Sequence, residues 1–182
     1  MKYIFVTLFL LISTLHANIK EELFSLYQTK QYKQACRFGF QNFSSFKKNE
    51  ELVALYGFSC LNSDYIDRLA IPITALRSSK EARANATYFA VILMQKKMLY
   101  HALIDGYDFS GLKLPSTNYI LSKVFDLYNQ AEKNKLQKEY IFKDPKNQHI
   151  RYKLYLIEER KVIKMVIEEF YDTMLTKKHI YW

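Results

Sequence analysis

The chain has 182 residues, with 27 Lys and Arg against 18 Asp and Glu for a net charge of +9. At this length one domain, or a domain with a small appendage, buries its own core without staples. The positive balance favours anionic surfaces, yet the densest basic pairs, Lys47-Lys48, Lys96-Lys97 and Lys177-Lys178, lie far apart and exclude a basic run of the nucleic-acid-binding kind.

Residues 1–17 read as a secretory signal peptide. Lys2 is the only early charge, an apolar run extends from Ile4 to Leu15, and Leu15-His16-Ala17 places a small residue at the cleavage point. The run falls short of the ~20 apolar residues of a membrane span, with an uncleaved inner-membrane anchor as the rival reading. Cys36 stands too far along for lipidation at such a boundary. A mature protein starting near Asn18 has 165 residues and a net charge of +8. Its expected location is the periplasm, where nucleic acid is not an expected partner and peripheral membrane contact remains open.

Four short helices are predicted next. The first runs from Ile19 to Thr29 and buries Leu23, Leu26 and Tyr27 on one stripe. The second carries Tyr32, Ala35, Cys36, Gly39 and Phe40, and the polar stretch from Asn42 to Lys48 breaks the pattern. Asn49 caps a third helix, with Glu50 and Glu51 where the helix dipole favours acids, ending at Leu61-Asn62-Ser63. Asp64 caps a fourth through Ile66, Leu69 and Ala70, with Pro72 in its interior. Helices of this length joined by tight turns predict two stacked antiparallel hairpins.

Cys36 lies twelve residues before Lys48 and Cys60 twelve after it. A reversal near Lys48 sets both at similar height on neighbouring helices, and an oxidising compartment then favours a Cys36–Cys60 disulfide. Two buried thiols are the alternative. No C-x-x-C spacing supports a catalytic dithiol.

Lys30-Gln31-Tyr32-Lys33-Gln34-Ala35 resembles the turn and second-helix start of a tetratricopeptide repeat, in which an aromatic precedes a small residue by three. Ser63-Asp64-Tyr65 recurs 33 residues later, close to that family's period. Over residues 19–79 the resemblance implies a helical-hairpin stack of the kind that binds other proteins, and it transfers no binding residue.

Beyond Ser79 one long helix is expected from Lys80 to Asp105, capped by Ser79 and ended by Gly106 in a left-handed conformation. A loop from Tyr107 to Pro115 leads to a helix capped by Ser116 or Thr117 and fading at Asn134. From Lys138 the composition turns β-rich. Residues 139–143, 150–157 and 161–170 predict a three-stranded antiparallel meander with its second turn at Glu158-Glu159-Arg160. A helix over 152–174 also fits the spacing. The tail Ile180-Tyr181-Trp182 either packs back or meets a partner.

The fold class is therefore mainly α, with a helical-hairpin domain over 18–135 and a β-rich (or helical) appendage over 136–182. His101, His149 and His179 lie in separate elements without a ligand at i+3 or i+4, so no metal site or cofactor is indicated. Glu158-Glu159 and Glu168-Glu169 point to opposite faces of a strand and form no acid–base couple. Hydrolase elbows, zinc-helix motifs and phosphate loops are missing from the sequence. These readings favour a non-enzymatic exported interaction module with an envelope protein as partner, and Arg37, Tyr56, Arg83 and Tyr88 as possible surface contributors. A binding protein for an apolar or glycan ligand, using the abundant aromatics, is the alternative.

Overall fold

A computed structural model describes residues 19–109, 111–131 and 137–182, so the signal-peptide segment 1–17 and the helix end expected at Asn134 lie outside the described residues. The chain forms two compact units that divide after Phe89.

The first unit is helical. Helix α1 (19–28) ends in a Schellman turn: Lys30 is left-handed at φ 59°, and the N–H groups of Lys30 and Gln31 donate to the carbonyls of Tyr27 and Leu26. Helix α2 (Tyr32–Phe46) runs further than the polar stretch after Asn42 predicts. Asn42 donates to the Phe38 carbonyl one turn back, and Phe43 packs edge-on against the buried Phe46, so an apolar stripe persists beneath the polar residues. Asn49 caps α3 (Glu50–Asn62) as expected, its Oδ1 accepting the Leu52 N–H at 3.2 Å.

The α2 and α3 helices are antiparallel, matched Cys36 to Cys60, Gly39 to Tyr56 and Phe43 to Tyr56. The disulfide between Cys36 and Cys60 is formed.

The predicted fourth helix is corrected. Asp64 is itself left-handed (φ 63°) and Tyr65 holds the N-cap position; a 3-10 turn, Ile66–Leu69, precedes a six-residue helix α4 (Ala70–Ala75). Pro72 thus falls in the first turn of α4, where its missing N–H leaves no helical bond unmade. Helix α5 (Lys80–Asp105) has the predicted bounds, with Ser79 Oγ accepting the Ala82 N–H at 3.0 Å and Gly106 at φ 69°. Its first turns belong to the first unit, where Phe58 packs edge-on against Phe89.

The second unit contains the remainder of α5, helix α6 (Ile120–Gln130) and a four-stranded antiparallel sheet in the order β1-β2-β3-β4. Tyr119, not Ser116 or Thr117, occupies the N-cap position of α6. Thr117 supports that end all the same, accepting the Tyr119 N–H and sharing a 2.6 Å hydrogen bond with the Ser122 hydroxyl. The helix stops at Gln130, where Ala131 turns extended.

Strands β1 (Glu139–Lys143), β2 (Ile150–Glu159) and β3 (Val162–Tyr171) realise the meander; the tail adds a fourth, β4 (Met174–Tyr181). The turn between β2 and β3 is Arg160-Lys161, with φ 53° and 64°, one residue later than predicted. One sheet face presents Tyr140, Tyr152, Leu154, Met165, Ile167 and Tyr181, all buried. The architecture is mixed, helices followed by an antiparallel sheet.

Candidate interaction surface

Several carboxylates and histidines of the two units are engaged within the fold. In the first, Glu50 sits in an open hollow of about 630 Å³ formed by 48–51, Ser78, Ser79 and Glu81. Its carboxylate accepts the backbone N–H groups of Arg77 (2.9 Å), Ser78 (2.6 Å) and Ser79 (3.0 Å). Those three donors hold its pKa down at about 2. It clamps the segment before α5 onto the start of α3 and is too weak a base to take a proton at neutral pH.

In the second unit, Glu169 lies with Oε1 3.0 Å from Nε2 of the buried His179, and that hydrogen bond lowers its pKa. Burial pushes the Asp144 carboxyl up, but the hydroxyl of Tyr152, donating at 2.7 Å, and the N–H groups of Lys146 and Asn147 outweigh it, and the net shift is downward. The neighbouring glutamates separate as the strand alternation requires. Glu168 meets Lys178 (3.1 Å) and the Tyr155 hydroxyl on the outer face, whereas Glu169 faces inward. His149 pairs with Asp172 at 2.7 Å, and His101 stacks on Tyr107 with centroids 4.4 Å apart. No cluster of three or more His, Cys, Asp or Glu suited to a metal occurs among the described residues.

Many aromatic rings pack on one another. Phe109 stacks on Phe125 and touches Tyr128, which meets Tyr140 edge-on.

Of the four residues singled out from sequence, Tyr56 is corrected from surface to core. It is fully buried under α2, its hydroxyl finds no hydrogen-bond partner among the described residues, and burial pushes its pKa up to about 12. Arg83 donates to the carbonyls of Arg77 and Ser78, Tyr88 is half-buried beside Phe58, and Arg37 is exposed.

A surface that sequence reading missed lies over the disulfide. The Arg68 guanidinium sits 4.7 Å from the ring centroid of Phe40 and 5.0 Å from that of Tyr65, and its Nη1 is 3.7 Å from Cys36 Sγ. Phe40 is 49% exposed and Arg68 half-buried, so the ring faces outward with the cation partly covered against it. Helix α2 supplies Phe40, the segment after α3 supplies Tyr65 and Arg68, and the disulfide fastens α2 to α3 directly beneath. Cation–π stacking holds each side chain in one rotamer in advance, so little side-chain entropy is left to lose when a partner arrives. Arg and aromatic residues of this kind dominate the binding energy of protein interfaces. No sequence signal joins Phe40 to Arg68.

Among known proteins, no family model, no curated protein and no solved structure matches this chain.

Proposed function

We propose that this is a non-enzymatic, exported interaction module of the periplasm, directed there by residues 1–17. Its first unit acts as a tetratricopeptide-like helical stack that holds a protein partner of an envelope complex. The observation that carries the reading is the Phe40–Arg68–Tyr65 cluster, an exposed, preordered cation–aromatic platform over a disulfide. The disulfide supports an oxidising, exported setting. No described helix is long and apolar enough to cross a membrane.

Site-specific photo-crosslinking in the native cells tests it. A crosslinker at Phe40 should give one discrete protein adduct that is lost when Arg68→Ala is introduced. A crosslinker at exposed Lys113, in the second unit, should not give it. Absence of an adduct at Phe40, or the same adduct from Lys113, overturns the proposal.

A further inference from the structure

The sheet has two edges, and they differ in chemistry. At β4 the middle of the strand carries Lys177 and Lys178, a pairing deterrent on an edge. The Tyr100 hydroxyl and Lys96 Nζ donate to the carbonyls of Tyr181 and Trp182 at that strand's end. At β1 the sequence is Glu139-Tyr140-Ile141-Phe142-Lys143, opposite charges flanking a symmetric apolar centre. Ile141 is 60% exposed, more than any other large apolar residue of the sheet except Met174.

Backbone parity shows which β1 groups face outward. The Asp144 N–H donates to the Ile150 carbonyl at 2.9 Å, so those two residues form a hydrogen-bonded pair. In an antiparallel ladder such pairs alternate. With the register of β1 on β2, Tyr140 and Phe142 therefore bond inward to Leu154 and Tyr152. The N–H and C=O groups of Glu139, Ile141 and Lys143 point away from β2, and no hydrogen bond to another loop or strand engages them among the described residues.

We propose that β1 pairs antiparallel with β1 of a second copy of this chain, centred on Ile141, and joins two four-stranded sheets into one of eight. Full overlap of two five-residue strands places Ile141 on Ile141 of the second copy, and Glu139 on its Lys143 in both directions. The same register sets every outward N–H against an outward C=O, which gives six backbone hydrogen bonds about a two-fold axis. Side-chain charge and backbone parity thus select one arrangement by independent criteria. Such a strand pair is small beside a standard interface of about 1,600 Å², so the dimer is weak, with a dissociation constant of about 10 µM or more.

Sedimentation of the purified protein over a concentration series across that range is the test. The unaltered chain should pass from monomer to dimer. E139K and K143E should each weaken the dimer at least tenfold, because every flanking pair becomes like-charged. Mixing the two variants should restore a dimer, now exclusively heteromeric, since each charge again meets its opposite. I141P should abolish the dimer while leaving the monomer folded by circular dichroism, because the lost N–H points outward and an edge strand tolerates it. A chain that stays monomeric throughout, a dimer that survives I141P, or single variants that fail to recover on mixing would each overturn the proposal. Monomeric folding of the charge variants is checked by the same spectrum, so loss of fold is not mistaken for loss of pairing.

Discussion

Glu50 converts a single carboxylate into the closure of a turn, and its pH dependence follows from its depressed pKa. A carboxyl whose folded pKa is about 2, against 4.5 ordinarily, stabilises the fold fully above the unfolded value. The contribution is lost as pH falls from about 4.5 to about 2, because the proton then enters the unfolded chain more readily than the folded one. The difference in melting temperature between the wild-type chain and Glu50→Gln should be constant above pH 5 and shrink toward zero near pH 2; a pH-independent difference would show that the three N–H bonds are not made to a carboxylate. Gly39 makes a second residue-scale case. A Cβ there would lie 2.6 Å from Tyr56 Cδ2, and Tyr56 is fully buried with no room to retreat. Gly39→Ala should destabilise the chain by about 1–3 kcal/mol in urea titration, the usual cost of overpacking. Before the structure, Gly39 read only as one more small residue on a helical stripe; its role depends on which helix lies opposite.

At the scale of elements, the β2–β3 hairpin violates its own sequence preferences. A two-residue turn with both residues at positive φ is the type I′ geometry that Asn-Gly favours. Here Arg160 and Lys161 adopt it at φ 53° and 64°. Left-handed φ costs a non-glycine residue about 1–2 kcal/mol, so Arg160→Asn with Lys161→Gly should stabilise the chain by about that amount. The measurement is the urea midpoint at unchanged slope, and a lower midpoint would refute the strain. The same residues explain why the turn was misplaced by one: nothing in Arg-Lys announces positive φ, and the turn is imposed by a long ladder on both sides. Elements with local signals were legible, as α5 was from Ser79 and Gly106, and β1 from its β-formers before Asp144-Pro145. Strand β4 was hidden because Thr176-Lys177-Lys178-His179 looks solvated. His179 is buried, and Glu169, ten residues away across the β3–β4 hairpin, supplies a hydrogen-bond partner. The Arg68 platform was hidden for a similar reason, since Phe40 lies 28 residues before the cation that stacks on it.

For the whole molecule, the question is whether two compact units respond as one. The disulfide links residues 24 apart within the first unit. Closing a loop of that length restricts the unfolded chain by about 3.5 kcal/mol in the chain-entropy model. That term acts on whichever segment unfolds with the loop open, so reduction should be felt where α2 and α3 unfold and nowhere else. Native-state hydrogen exchange separates the possibilities, because local and global openings have distinct free energies. After reduction, or in the paired variant Cys36→Ser with Cys60→Ser, amides of α2 and α3 should exchange at least a hundredfold faster. Amides of β2 and β3, held in the longest ladder of the second unit, should keep their rates. Equal acceleration in both units would mean that the chain opens as a single cooperative body.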